Sequence, residues 1–294
     1  MATQPITKNI DILYIVGPTA SGKSALAMQL AQELNGEIIC ADSRTIYKGL
    51  SIATAKPSAA EQATIKHYGL DIVSPNQSYS ASQFQADARG WIATIQAKGK
   101  LPIIVGGTGL YIDGLLFNYE FGAAANPELR AELAPLSVEQ LQERIQSLGL
   151  PMPQNNKNKR YLERAIEQGG INTKRSDKIA SGTLVIGLNP NLEVLKERII
   201  KRAGLMLEQG ALQEAKEMFN TYGYDAPAAA PFYRAFRPYF EEGLSAKECL
   251  KQYIQNDMRL AKRQVTWFKR NTDINWFTEA EAAHNFVQAT MNPK

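Results

Sequence analysis

This sequence predicts an α/β fold: a parallel sheet flanked by helices, with a helical insertion. Three observations predict it. A continuous apolar run, Ile12 to Val16, leads directly into a glycine-bracketed loop and then a helical pattern. Strand and helix patterns alternate over the first 115 residues. From about Asn126 to Asn172 the patterns are helical, with no convincing strand. A βαβ rhythm of this kind builds a parallel sheet covered by helices on both faces. The expected division is a core at 1–115 and 183–294 and a helical insertion at 116–182.

The elements follow in order. Ile12 to Val16 is apolar throughout, as a strand buried on both faces must be. Ser24 to Leu34 places Leu26, Leu30 and Leu34 on one helical face, with Gly36 at its end. Glu37 to Ala41 reads as a short strand ending at Asp42. Ser82 to Lys98 carries Phe84, Ala88, Trp91 and Ile95 at helical spacing and closes at Gly99. Pro102 to Val105 is a third strand, followed by Gly106-Gly107-Thr108-Gly109. In the insertion, Leu136 to Leu148 and Lys159 to Gln168 read as helices. Thr183 to Leu188 is a strand that returns to the sheet. Helices follow at Leu192 to Gln209, Leu212 to Tyr222 and Ser245 to Lys269. The last starts with Ser245 and Glu248 at capping-box spacing. Its expected apolar stripe is Leu250, Ile254, Met258, Ala261, Val265 and Phe268. Ala226 to Pro231 reads as a linker or turn.

The chain has 294 residues, 44% of them hydrophobic, enough to bury a sizeable core. Its net charge of +4 is a weak hint of a polyanionic partner. Two cysteines, Cys40 and Cys249, and two histidines, His67 and His284, cannot supply a close-spaced zinc set. The cysteine usage fits a reducing compartment. Met1 to Asn9 shows no secretory pattern, and no apolar run approaches the roughly 20 residues of a membrane helix. A cytoplasmic protein without membrane contact is expected.

Gly17-Pro18-Thr19-Ala20-Ser21-Gly22-Lys23-Ser24 matches G-x-x-x-x-G-K-[ST], the P-loop. Its glycines let the backbone turn successive N–H groups inward, and the following helix adds its positive end. Lys23 supplies a point charge, and the Ser24 hydroxyl is placed to ligate Mg²⁺. The fold expectation sharpens to a P-loop NTPase-like sheet with a phosphate or pyrophosphate site, in the wide class that includes nucleotide- and ATP-binding proteins. The loop alone does not name the reaction.

An NTPase usually carries a carboxylate at the end of a hydrophobic strand. Here Pro102 to Val105 ends in Gly-Gly-Thr-Gly instead. The acid at a strand end is Asp42. Ligands of open α/β sheets bind outside the carboxyl ends of the strands, so Asp42, Thr108 and the phosphate loop should share one edge. Asp42 is then a general base, a metal ligand or a turn aspartate; spacing leaves all three open. Thr108 is equally readable as turn chemistry.

Residues 157–178 hold Lys157, Lys159, Arg160, Arg164, Lys174, Arg175 and Lys178 against three acids. The C-terminal helix holds Arg259, Lys262, Arg263, Lys269 and Arg270, with no acid from Met258 to Asn271 and with Trp267 among them. Two basic clusters and an aromatic fit phosphate-backbone binding and base stacking, and favour RNA.

The residues now carry a resemblance. Besides the phosphate loop, Asp42-Ser43, Ile46-Tyr47-Lys48-Gly49, Thr54-Ala55-Lys56-Pro57, Leu70-Asp71-Ile72 and Tyr79-Ser80-Ala81 stand in order. Val105 to Tyr111, Arg164-Ala165-Ile166-Glu167, Ala261-Lys262-Arg263-Gln264 and Thr266-Trp267-Phe268 follow. Over nearly its whole length the chain resembles tRNA dimethylallyltransferases, also called tRNA isopentenyltransferases. The resemblance implies transfer of a dimethylallyl group from dimethylallyl diphosphate to N6 of the adenosine just 3′ of the anticodon, position 37. It implies Asp42 as general base, Thr108 at the bridging oxygen, Lys23 in catalysis and Gly17 to Ser24 on the diphosphate. Mg²⁺ would be the cofactor, with Ser24 as its ligand. Asp42, Ser43, Arg44, Thr45, Thr108, Arg130, Lys262 and Arg263 would contact tRNA, and the insertion would grip the anticodon stem-loop. A monomer is expected.

The chain departs from the family pattern at several places. Ala53 stands for a usual Gly, Phe232 to Ala235 for Gly-Tyr-Lys-Glu, Gly204 for Asp, and Asp257-Met258 for Thr-Arg. Arg259 is one position off and would point about 100° away on a helix. The competing readings are an adenylate isopentenyltransferase, a nucleoside-type kinase, and a catalytically weak RNA-binding relative.

Overall fold

The computed structural model describes residues 10–122, 126–170 and 174–291. The leader reading of Met1 to Asn9 and the end of the helical stretch at Ile171-Asn172 lie outside them. The elements run β1 (Ile12–Val16), α1 (Lys23–Glu33), β2 (Gly36–Cys40), α2 (Ala59–Thr64), β3 (His67–Tyr68), α3 (Ala81–Ala97), β4 (Leu101–Gly106) and α4 (Gly109–Leu116). Then come α5 (Pro127–Leu133), α6 (Val138–Ser147) and α7 (Lys159–Glu167). The chain continues with β5 (Thr183–Leu188), α8 (Leu192–Glu208), α9 (Ala211–Tyr222), α10 (Pro231–Glu241), α11 (Ala246–Phe268), β6 (Asn275–Phe277) and α12 (Ala280–Met291). It forms two compact units, Met1–Leu116 with Ile179–Lys294, and Phe117–Lys178.

The first unit is built on one six-stranded sheet in the order β3-β2-β4-β1-β5-β6. Every strand pair is parallel. Leu13 pairs with Ile103 and Leu184, and Val16 with Gly106 and Gly187. Both faces of β1 and β4 are covered, which is why these strands read as unbroken apolar runs. One core joins Leu13, Ile15, Leu26, Leu30, Ile103, Ile186 and Val287. A second joins Met206, Met218, Phe232, Tyr233, Phe236 and Tyr253 from the C-terminal helices. Because β2, β4 and β1 are neighbours, the loops at their carboxyl ends meet at one sheet edge.

Several local expectations change. Asn35, at φ 50°, makes the left-handed turn after α1. Gly36 instead opens β2, where a Cβ would stand 2.8 Å from Ile103 Cδ1. Ala226 to Ala230 is no linker: Ala226, Ala228, Ala229 and Ala230 are buried in the second core, and Pro231 starts α10. The buried stripe of α11 is Cys249, Tyr253, Asp257, Ala261 and Phe268; Leu250, Ile254 and Met258 flank it. Asp257, an acid outside the expected apolar stripe, lies on the buried one. The two-residue β3, the short α2 and the three-residue β6 had no periodic signal long enough to read; α12, which buries Ala283 and Val287 four residues apart, was also missed.

The second unit, α5 to α7, packs Leu133, Leu141, Ile145 and Leu162 in its own core. Glu167, with a side chain 1% exposed, binds Arg130 at 2.6 Å and Arg164 at 3.1 Å. Among the described residues no helix is long and apolar enough to cross a membrane.

Candidate functional site

The phosphate loop leaves β1 at Gly17, whose φ is 151°. A Cβ there would lie 2.3 Å from the Leu188 carbonyl oxygen, so only glycine fits. Ala20 and Gly22 also take positive φ, 61° and 95°. α1 then starts at Lys23 with no side chain capping its first turn. Its first N–H groups are therefore available to an anion. The Ser21 hydroxyl is buried and has no hydrogen-bond partner among the described residues. Lys23 Nζ donates to the Pro18 carbonyl at 3.0 Å. Burial pushes the Lys23 ammonium down to about 8; Asp42 opposes that shift, Arg202 adds to it and Asp257 opposes it. A buried cation at the uncapped start of a helix is a site for a phosphate group.

Asp42 follows β2. Its Oδ1 accepts from the Arg44 N–H at 2.8 Å, an Asx-type turn that fixes the carboxylate. Oδ2 has no hydrogen bond among the described residues. Thr108 is locked to the same loop: its Oγ1 accepts from the Ser43 N–H at 3.0 Å and donates to Ser43 Oγ at 3.4 Å. Its N–H reaches the Ala41 carbonyl at 3.3 Å. Gly106 allows this approach, since a Cβ would stand 2.0 Å from the Ala41 oxygen. The Thr45 hydroxyl donates to the Asp42 carbonyl at 3.4 Å, and Arg44 Nη1 to the Pro227 carbonyl at 3.3 Å. Asp42, Ser43, Thr45 and Thr108 thus form one hydrogen-bonded rim, within electrostatic reach of Lys23.

The opposite wall comes from α8 and α11. Gln264 Oε1 accepts from the Thr19 N–H at 2.8 Å, and its Nε2 donates to the Gly107 carbonyl at 3.0 Å. One side chain therefore ties the phosphate loop to the Thr108 loop. Arg202 Nη2 donates to Thr19 Oγ1 at 2.6 Å and to Asp257 Oδ2. Arg198 Nη1 donates to the Ser21 carbonyl at 3.0 Å. Burial pushes the Asp257 carboxyl above its ordinary range, and the Arg202 guanidinium draws it back.

Sequence reasoning missed Arg198, Arg202 and Asp257, and gave Gln264 no role. The available signal was the i, i+4 spacing of Arg198 and Arg202 beside the buried Leu195, Ile199 and Ala203. Arg259 is exposed and contacts Asn256 Oδ1 at 3.4 Å; the arginines on the phosphate loop are Arg198 and Arg202. Trp267 also changes part. Its Nε1 donates to Asp113 at 2.8 Å, it lies against Gly109, and Arg270 stacks on it at 3.9 Å. It seats the Thr108 loop. Lys262 and Arg263 are exposed on α11. Arg130 belongs to the second unit, in its bidentate pair with Glu167.

Comparison with known proteins gives a consistent result. The family model described as IPP transferase matches residues 45–271, and one described as isopentenyl transferase matches 10–74. A tRNA dimethylallyltransferase of Streptococcus agalactiae is 38% identical, over 93% of this chain and 94% of its own. One of Streptococcus gordonii is 40% identical, over 90% and 92%. The solved full-length tRNA isopentenylpyrophosphate transferase of Bacillus halodurans superposes with a TM-score of 0.73 at 30% identity, over 96% and 97%. A eukaryotic dimethylallyltransferase solved acting on tRNA gives 0.77 at 25% identity, over 96% of this chain and 76% of that one.

Proposed function

We propose, from the premise that the chain belongs to the IPP transferase family, that it is a tRNA dimethylallyltransferase: it moves a dimethylallyl group from dimethylallyl diphosphate to N6 of the adenosine at position 37 of tRNA. The observation that carries the mechanism is the position of Asp42. A turn-anchored carboxylate with one unengaged oxygen shares a sheet edge with a phosphate loop.

In this reading the diphosphate lies in the loop of residues 17–24, on the uncapped N–H groups where α1 begins, with Lys23 on its oxygens. The adenosine N6 attacks the first carbon of the allylic group, the carbon–oxygen bond breaks, and pyrophosphate leaves with the bonding pair. Charge grows on the pyrophosphate as that bond breaks, and fixed donors stabilise it without reorganising. Thr108 sits at the bridging oxygen. Asp42 Oδ2 accepts the N6 proton. The base must leave the loop stack to reach this depth. Asp42 to Thr45, with exposed Lys262 and Arg263, contact the tRNA; Arg130 and the second unit hold the anticodon stem-loop.

Ser24, the second residue of α1, has an exposed side chain at the mouth of the loop and would offer its hydroxyl to Mg²⁺, with substrate phosphate oxygens and water as the other ligands. Mg²⁺ commonly binds in that way. When bound it supplies further charge stabilisation to the leaving pyrophosphate. The protein is proposed to work as a cytoplasmic monomer.

The test is incubation with dimethylallyl diphosphate, Mg²⁺ and unmodified tRNA, read by nucleoside mass spectrometry. The expected product is N6-(dimethylallyl)adenosine. Product on free adenylate but not on tRNA would establish the small-molecule class instead. No product on either, beside an active relative, would leave a binding protein.

A further inference from the structure

The α8–α11 wall contains a charge that the chemistry above does not use. Asp257 has a side chain 4% exposed, and it lies on the buried stripe of α11. Its partner is Arg202 Nη2, the nitrogen that also grips Thr19 Oγ1 at 2.6 Å. Arg202 Nε is buried without a partner among the described residues, so the guanidinium is not saturated by these contacts. Gln264, two helical turns beyond Asp257 on the same face, holds the Thr19 N–H at 2.8 Å. α11 therefore grips one residue of the phosphate loop twice, once directly and once through Arg202. Lys23 lies within the field of Asp42, Arg202 and Asp257 together.

A buried carboxylate so close to an anion cradle opposes anion binding, because like charges in a dry site repel strongly. It also neutralises a guanidinium that would otherwise strengthen the cradle. Shape alone does not call for an acid here, since an uncharged acceptor could orient Arg202 equally well. Resting on the diphosphate reading above, we propose that Asp257 is a positioning residue that seats Arg202 on Thr19 and, by its charge, limits how tightly pyrophosphate is held after transfer.

Inorganic pyrophosphate with Mg²⁺ is the probe, measured by calorimetry, alongside single- and multiple-turnover rates. Asp257→Asn keeps the shape and the acceptor but removes the charge. It is expected to tighten pyrophosphate binding by about 3- to 30-fold, as loss of one nearby repelling charge should. The single-turnover rate should hold while kcat and the donor KM both fall, because release becomes slower. In an Arg202→Met background the same change should still tighten pyrophosphate binding, because the repulsion between Asp257 and the anion is still there to be removed. Thr19→Val, which frees Arg202 from the loop and leaves Asp257 in place, should weaken pyrophosphate binding; it serves if Asp257→Asn does not fold. Wild-type protein that ignores pyrophosphate would refute the diphosphate reading itself. Wild type that binds it, with Asp257→Asn unchanged or weaker, or with Thr19→Val unchanged, would overturn the proposal alone.

Discussion

Two carboxylates stand at opposite ends of β2, and they have opposite fates. Glu37, near the amino end, is 3% exposed and accepts from Lys98 at 2.9 Å, Lys100 at 3.0 Å and the Tyr68 hydroxyl at 2.9 Å. Burial alone would raise its carboxyl; the bonds from Lys98, Lys100 and Tyr68 overrule this and hold it at about 2. Asp42, past the carboxyl end, is half-buried and holds a single turn bond from the Arg44 N–H at 2.8 Å. The difference separates a saturated acid on β2 from the acid just beyond it that is proposed as the base. A saturated carboxylate can only stabilise; one with an oxygen left open can accept a proton.

Substitutions at the two ends should separate cleanly. The largest effect is expected for Asp42→Asn, which keeps the acceptor for Arg44 but removes the base: turnover should fall about 100- to 10,000-fold. Thr108→Val should cost about 100-fold in kcat, the order seen when one donor at a developing anion is lost. Kinetics with dimethylallyl diphosphate and tRNA check both. Glu37→Gln should leave turnover per folded molecule unchanged and cost about 1.5–3 kcal/mol of stability, the order of hydrogen bonds to a charged group, read by denaturant melts. A pH titration of stability sharpens the contrast. The Glu37 carboxyl is lower in the folded protein than its ordinary 4.5, so its contribution is fully present above about 4.5. It should be lost as pH falls through about 2. Glu37→Gln should remove that part of the acid transition.

The same contrast explains what could be read from residues alone. The phosphate loop was legible because positive φ at Gly17 and Gly22 is a local demand that names its residue. Asp42 and Thr108 were legible because a parallel sheet brings its strand ends together. Arg202 and Asp257 were not, because they stand 55 residues apart in sequence and meet only when α8 packs on α11. A periodicity template also rejects an acid from a buried stripe. Ala226 to Ala230 failed for a related reason: small apolar residues beside prolines look like a linker until large side chains such as Phe232 and Phe236 close around them.

The most direct measurement is a single-turnover comparison of Asp42→Asn and Glu37→Gln at saturating tRNA and donor, with pyrophosphate affinity measured alongside. The transfer step is expected to slow at least about 100-fold in Asp42→Asn alone, with pyrophosphate bound no more weakly than by wild type in either protein. A transfer step in Asp42→Asn as fast as wild type would contradict it.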